Sequence, residues 1–372
     1  MINLVHFIHG LNMGGAETLV KDYALLMNKE KYNITILCYN RYGSPYEKKL
    51  EEAGINVIYM CDEISTWGKR GIFAKIVNHY AIFIKTKKYL KRLNPDIIHY
   101  HLTLSKYIAF AKPSRKCRLV LTVHNEPTVI WDKSDLMKKI DFFFTKALIK
   151  NYNFKMIALH ESMRRELNNL FPNCDIYRVN NGINFVRFDV TDSKDLIRET
   201  LGIPKDAFVI GHVGRFTDQK NQSFLIEIFS EIRKNTNAFL LMVGDGPNKN
   251  AAKESINKLG LTKNSLFLDN RIDIPRIMKA MDFFVFPSRY EGLGIVLIEA
   301  QKMGLKCLIS EEVPDAVLVT NYIKKYSLRR SPEAWKDAIL NFYNENIPFE
   351  DIELSEWDMR KVCKNLEVIY EK

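Results

Sequence analysis

Short, nearly continuous apolar runs alternate along the first half of the chain with longer segments whose apolar residues recur at helical spacing. The runs 3–9, 33–39, 56–60, 97–100, 119–124, 156–159 and 176–179 are strand-like, and helices fit between them. Strands that alternate with helices predict a parallel, doubly wound sheet, whose ligands sit beyond the carboxyl ends of the strands. The turn Asn181-Gly182 closes this half. A second alternation starts at Ala207, with strands expected at 208–214, 239–243, 265–268 and 283–286. A last helical pattern covers 355–370. Two doubly wound domains follow, over 1–181 and 182–354, with the helix 355–372 returning to the first.

One stretch organises the second half: Val285-Phe286-Pro287-Ser288-Arg289-Tyr290-Glu291-Gly292-Leu293-Gly294-Ile295-Val296-Leu297-Ile298-Glu299-Ala300. Pro287 and Ser288 end a buried strand, two glycines let the backbone turn, and helical spacing begins near Gly294. A strand, a glycine loop and a helix N-terminus together suit an anion, phosphate above all. Glu299 lies about 7.5 Å along the helix axis from Gly294, far enough to pass a diphosphate and reach a sugar hydroxyl. Carboxylates repel phosphates, so Glu291 and Glu299 suit hydroxyl donors better. Taken singly, each also fits a solvated surface glutamate.

Three other places carry candidate chemistry. Strand 208–214 runs into Gly214-Arg215-Phe216-Thr217-Asp218-Gln219-Lys220-Asn221 and then a helix. Cations at a helix N-terminus oppose its dipole, so Arg215 and Lys220 there point to a bound anion rather than to idle surface charge. Gly10-Leu11-Asn12-Met13-Gly14-Gly15-Ala16-Glu17 is a glycine-rich turn opening a helix, readable as a tight turn or as a second phosphate site. His124 stands just past the carboxyl end of a strand, where ligands sit, although a histidine bonded to backbone would look the same. His99 and His101 are weaker candidates of the same kind. The Gly-x-Gly-x-x-Gly of dinucleotide enzymes is absent.

The Glu-x7-Glu pattern, with Glu-Gly in front, Glu-Ala behind and Pro-Ser before it, resembles the signature of retaining GT-B glycosyltransferases, most closely family 4. The resemblance covers nearly the whole chain. It implies two Rossmann-like domains facing a cleft, the first for an acceptor and the second for a nucleotide sugar, expected to be UDP-linked. It places Glu291 near the donor sugar, Glu299 on the ribose, and the Leu293, Gly294 and Ile295 amides on the diphosphate. Arg215 and Lys220 resemble the diphosphate clamp, and Gly14 and Gly15 the loop that faces the same diphosphate. His124 matches a histidine beside the donor sugar, and Arg271 and Ile272 match a segment whose backbone meets the base. Gly244-Asp245-Gly246-Pro247 matches a turn that lines the cleft, read here as mostly structural. The segment after Cys307 lacks a Gly-Gly common in the family and looks instead like the capsular and exopolysaccharide subgroup.

Composition narrows the field further. There is no Asp-x-Asp, which argues against a metal-dependent transferase and for phosphate charge neutralised by Arg215, Lys220 and helix dipoles; no metal or other cofactor is expected. Six scattered cysteines without Cys-x-x-Cys spacing read as reduced thiols in a cytoplasmic protein. The start Met1-Ile2-Asn3-Leu4-Val5-His6-Phe7 lacks the marks of a signal peptide. A net charge of +11 fits nucleic acid, an anionic membrane or anionic substrates. No nucleic-acid module is recognisable, so no nucleic-acid partner is expected. Between Glu63 and Asp96 there is no acidic residue, while Lys69, Arg70, Lys75, Lys85, Lys87, Lys88, Lys91 and Arg92 interleave with aromatics. With the Phe142-Phe143-Phe144 stretch, this favours peripheral contact with an anionic membrane over an ordinary lysine-bearing helix. The acceptor expected from these signs is a glycan or lipid-linked oligosaccharide. A nucleotide-sugar epimerase and a non-catalytic binding subunit are the alternatives.

Overall fold

The computed structural model describes residues 1–69, 71–132, 134–348 and 354–372. Arg70 of the basic stretch lies outside them. The chain forms two compact units, Met1–Asn184 with Ser355–Lys372, and Phe185–Leu354.

The first unit holds strands β1 (Ile2–Ile8), β2 (Tyr32–Cys38), β3 (Asn56–Tyr59), β4 (Ile97–His101), β5 (Arg118–Thr122), β6 (Phe154–Ala158) and β7 (Asp175–Arg178). Its helices are α1 (Gly15–Leu26), α2 (Pro45–Glu52), α3 (Ile72–Leu93), α4 (Ser105–Ala111), α5 (Pro127–Ile130), α6 (Leu136–Asn151) and α7 (Glu161–Leu170). The strands pair in parallel in the order β3-β2-β1-β4-β5-β6-β7. The winding reverses between β1 and β4, and such a switch point leaves a crevice at the strands' carboxyl ends.

The second unit holds β8 (Phe208–Val213), β9 (Ala238–Val243), β10 (Ser265–Leu268), β11 (Phe283–Phe286), β12 (Lys306–Ser310) and β13 (Ile323–Tyr326). Its helices are α8 (Lys194–Leu201), α9 (Gln222–Arg233), α10 (Lys249–Lys258), α11 (Ile274–Lys279), α12 (Ile295–Lys302) and α13 (Pro332–Asn344). The parallel order is β10-β9-β8-β11-β12-β13, with the switch between β8 and β11. The buried run Phe283-Phe284-Val285-Phe286 makes β11 a central strand covered on both faces.

The last helix, α14 (Met359–Glu371), belongs to the first unit. Its buried residues Met359, Val362, Cys363, Leu366, Ile369 and Tyr370 recur at helical spacing and join the core under α1. A short parallel bridge anchors its start: the Ile183 amide donates to the Trp357 carbonyl at 2.6 Å, and Met359 donates back to Ile183 at 3.1 Å. A Cβ on Gly182 would fall 2.8 Å from Met359 Cα. Gly182, read from the sequence as a turn residue, is thus required by close packing of backbones.

β13 escaped the sequence reading because it carries Lys324 and Lys325. Both lysines leave the strand for carboxylates, Glu345 at 2.6 Å and Asp315 at 2.5 Å. Charged side chains on an edge strand prevent further pairing and erase the apolar signature that marks a central strand. Among the described residues, no helix is long and apolar enough to cross a membrane.

Candidate functional site

In the second unit, two loops meet where β8 and β11 end. After β8 the chain passes Gly214 and Arg215, makes a short 3-10 turn over Asp218–Lys220, and enters α9 through Asn221. Asn221 takes a left-handed φ of +54°, a conformation that asparagine visits more readily than most residues. Its amide donates to the Pro287 carbonyl at 3.1 Å and accepts from Arg289 at 3.3 Å. Gln219 donates to the Tyr290 carbonyl at 2.9 Å, and the Arg289 amide donates to the Gln219 carbonyl at 2.8 Å. These four bonds fasten the loop after β8 to the loop after β11.

They bring Lys220 and Glu291 together. Lys220 Nζ lies 2.6 Å from Glu291 Oε1 and 4.6 Å from the centre of the Phe286 ring. Glu291 is buried and Lys220 nearly so. A Cβ on Gly214 would stand 3.5 Å from Lys220 Cδ, so the lysine stem runs beside the glycine. Beneath them His212 donates from Nδ1 to the Val285 carbonyl at 3.0 Å, and Gln222 bridges His212 Nε2 and the Arg215 carbonyl. Burial pulls His212 down to about 4, so its ring is neutral and serves as a strut. Arg215 itself is exposed.

Past Glu291, Leu293 is buried and Gly294 takes φ +82°, a left-handed conformation that opens α12. In the first turn of α12 the Leu297 amide donates to the Gly294 carbonyl at 2.9 Å, and the amides ahead of it, which have no carbonyl one turn before them, make this end a donor array for an anion. Glu299 is half-buried on the next turn of the same helix. Arg271 and Ile272 follow β10, at the far edge of the sheet. Arg271 is committed to Asp273 through two bonds of 2.8 Å, and the Ile272 carbonyl accepts from Arg187 at 3.0 Å. The structure therefore gathers Lys220, Glu291, Leu293, Gly294 and Ile295 at one switch point, with Arg215 on the same loop as Lys220, while Arg271 already has a partner.

Gly14, Gly15 and His124 belong to the other unit. Gly14 is the extended N-cap of α1, and a Cβ on it would lie 2.4 Å from Glu17 Oε2, so a carboxylate of the helix's own first turn rests there. Gly15 faces open space. His124 follows β5 and is part-buried. Behind it stand His101 and His99 of β4 and His6 of β1, all fully buried on one face of the sheet, since residues two apart on a strand share a face. Burial lowers His6 to about 3 and His124 to about 4, and holds His99 and His101 well below the usual imidazole range. All four rings are neutral. His6, His99 and His101 offer nitrogens within 4.8 Å of one another, close enough to suggest a metal. However, His99 uses both nitrogens, on the Tyr370 hydroxyl at 2.6 Å and on Thr122 at 2.7 Å. His101 also uses both, on His6 and His124. Hydrogen bonding accounts for the cluster without an ion.

Sequence reasoning missed Gln219, Asn221 and Arg289, which build the site, and His6, which completes the cluster. Only the i, i+2 spacing of His99 and His101 could have signalled a shared face.

The basic stretch forms an exposed apolar stripe on α3. Ile72, Ile76, Tyr80 and Ile84 recur every fourth residue and are exposed, with Phe73 beside them at 77 % exposure. Lys75, Lys87 and Lys91 are also exposed on this helix. The opposite face, Ala74, Ile82, Thr86, Tyr89 and Leu90, is buried. Lys85 and Lys88 pair with Glu63. α4 lies against both α3 and α6, and α6 exposes Leu136, Met137 and Phe143.

Two family models match successive parts of the chain: Glycosyltransferase Family 4 over residues 13–187 and Glycosyl transferases group 1 over residues 193–356. A putative glycosyltransferase EpsF of Bacillus subtilis is 27 % identical, over 90 % of this chain and 86 % of its own. The capsular polysaccharide biosynthesis glycosyltransferase CapH of Staphylococcus aureus is 25 % identical, over 100 % and 99 %. A UDP-Gal:alpha-D-GlcNAc-diphosphoundecaprenol alpha-1,3-galactosyltransferase of Escherichia coli is 29 % identical, over 81 % and 77 %. Among solved structures, Anabaena HepE in complex with UDP and glucose superposes with a TM-score of 0.78 at 16 % identity, covering all of both chains.

Proposed function

Because the chain belongs to glycosyltransferase family 4 and has the GT-B fold, we propose that this nucleotide-sugar glycosyltransferase takes its sugar from a UDP-linked donor, without a metal ion and with retention of configuration. The acceptor is a lipid-linked glycan in surface polysaccharide synthesis. The unit Phe185–Leu354 takes the donor and the first unit takes the acceptor. The observation that carries this reading is the Lys220–Glu291 pair, held beside the glycine-opened start of α12 at a switch point. A diphosphate on the amides of Leu293, Gly294 and Ile295 draws on the charge of Lys220 and Arg215, leaving Glu291 and Glu299 for sugar and ribose hydroxyls. As the diphosphate departs, negative charge grows where these preorganised cations and amides already point, and this stabilises the transition state. The leaving phosphate then helps to take the acceptor's proton on the same face. His124 contributes a neutral polar contact to the sugar. The E. coli relative's diphosphoundecaprenol acceptor and the capsular relative support the acceptor class.

The first test is thermal shift with UDP, GDP, ADP and CMP in the presence of a chelator. A ligand that binds only the folded state adds about 2.7 kcal/mol at a hundredfold excess over its Kd. UDP alone is expected to raise the melting temperature, and Arg215→Ala to reduce that rise. A shift by GDP or ADP instead overturns the donor base, and a shift that needs added metal overturns the metal-free reading.

The α3 stripe and its lysines support docking on an anionic bilayer, the surface on which a lipid-linked acceptor resides. Sedimentation with phosphatidylglycerol vesicles at low salt is expected to pull the protein down. Phe73→Glu with Ile76→Glu is expected to weaken that binding roughly tenfold or more, since each apolar side chain contributes on the order of 1.5–3 kcal/mol when buried. Equal binding by the double variant removes α3 from the contact.

A further inference from the structure

Three of the clustered histidines, His6, His101 and His124, form a directed chain, and its direction fixes which atom His124 presents. His6 Nδ1 lies 3.3 Å from His101 Nε2, and His101 Nδ1 lies 3.0 Å from His124 Nε2. Each neutral ring carries one N–H. His101 stands between two partners, so the two bonds must run the same way. If they run inward, from His124 to His101 to His6, the last proton sits on His6 Nε2. That atom is buried and has no hydrogen-bond partner among the described residues. If they run outward, His6 Nε2 is instead a bare lone pair. An orphaned buried N–H is the rarer defect of the two in folded backbones, and the same desolvation argument applies to a ring. The outward direction makes His6 a donor to His101 and His101 a donor to His124 Nε2. The proton of His124 then has to reside on Nδ1, which makes no hydrogen bond among the described residues.

We propose that His101, backed by His6, is a positioning residue that locks His124 in the tautomer protonated on Nδ1, so that His124 offers a ligand oxygen an N–H donor and not a proton-accepting lone pair. His99 stays outside this chain, held by Tyr370 of α14 and Thr122 of β5. It packs against the chain without breaking it, with its ring centre 4.3 Å from that of His101. The proposal rests on the reading of His124 as a sugar-contacting residue, and it assigns that residue a donor's part and excludes a general base.

The test is nitrogen NMR of the histidine rings in the full chain labelled on histidine, with His124 assigned by the signal lost in His124→Gln. Protonation of His124 at Nδ1 in the wild-type protein is the expected result, and protonation at Nε2 overturns the proposal. His101→Leu removes the donor and is expected to release His124 into a mixture of tautomers and to lower kcat/KM roughly tenfold, the scale of one misdirected hydrogen bond. His101→Asn puts an amide N–H near the place of Nδ1 and is expected to restore both. If His124 keeps its tautomer in folded His101→Leu, the lock lies elsewhere and the proposal falls. If His101→Leu does not fold, the wild-type spectrum alone decides. The spectra need no substrate, so failure to turn over any nucleotide sugar removes the functional reading while leaving the tautomer result to stand or fall separately.

Discussion

Lys220→Ala is expected to lower turnover about 10²- to 10³-fold, the range seen when one preorganised charge-stabilising group is lost. The expectation follows from where the ammonium sits. It is nearly buried, 2.6 Å from Glu291 and against the Phe286 ring, so its field is little screened by water. A cation held this way before the donor arrives needs no reorganisation when charge develops on the departing diphosphate. The substitution also has a structural cost, because it leaves the buried Glu291 carboxylate without its cation. Breaking a buried pair from one side costs about 3–5 kcal/mol. Two measurements separate these effects. Denaturant unfolding reads the stability loss, and turnover is taken far below the melting temperature. Glu291→Gln supplies the control: it removes the charge that Lys220 pairs with but keeps a hydrogen-bond acceptor, so it should lose turnover without matching the stability loss of Lys220→Ala. Near-normal turnover by folded Lys220→Ala would reduce Lys220 to a partner of Glu291 and remove it from the mechanism.

The parts of this protein that were legible in the sequence are those written in local pattern. Phe283-Phe284-Val285-Phe286 could only be a central strand, and Pro287 with Gly292 and Gly294 could only end it and turn the chain. The same holds for β8 and the cations that follow it. What was not legible is pairing between distant segments. Nothing near Asn221 says that it will hold Pro287 and Arg289, because the bonds join loops far apart in sequence that only the order β8-β11 makes adjacent. His6 looked like one more residue of an apolar strand until the register set it opposite His99. Arg271 shows the opposite limit. Its residue type suits an anion, but a carboxylate two positions on captures its guanidinium, which spacing alone did not reveal.

Gly244→Ala is expected to destabilise the second unit by about 2–6 kcal/mol, which combines backbone strain of about 1–3 kcal/mol with an overpacking cost of similar size. Gly244 has φ +142°, a conformation that L side chains rarely adopt, and a Cβ there would stand 2.2 Å from the Gly214 carbonyl oxygen. The obstacle is backbone, so it cannot swing aside as a side chain would. Gly246, at φ +153°, is blocked likewise, 2.4 Å from the Phe216 carbonyl oxygen. The Gly-Asp-Gly-Pro turn and Asn248 behind it are tied to the loop after β8 by three bonds, Phe216 to the Asp245 carbonyl at 2.9 Å, the Asn248 amide to the Phe216 carbonyl at 3.1 Å and the Asn248 side chain to Asp218 at 2.8 Å. It is therefore the wall against which Gly214, Arg215 and Phe216 are set. An alanine that pushes on Gly214 displaces Arg215 and the stem of Lys220 together, so the UDP-induced thermal shift should shrink along with stability. Gly54→Ala isolates the strain, because Gly54 has φ +70° but nothing within 4 Å of its Cβ position. Its cost should be about 1 kcal/mol, with no change in UDP binding. If denaturant unfolding finds Gly244→Ala no worse than Gly54→Ala, the loop has room to move, and the close approach does not set the position of Arg215.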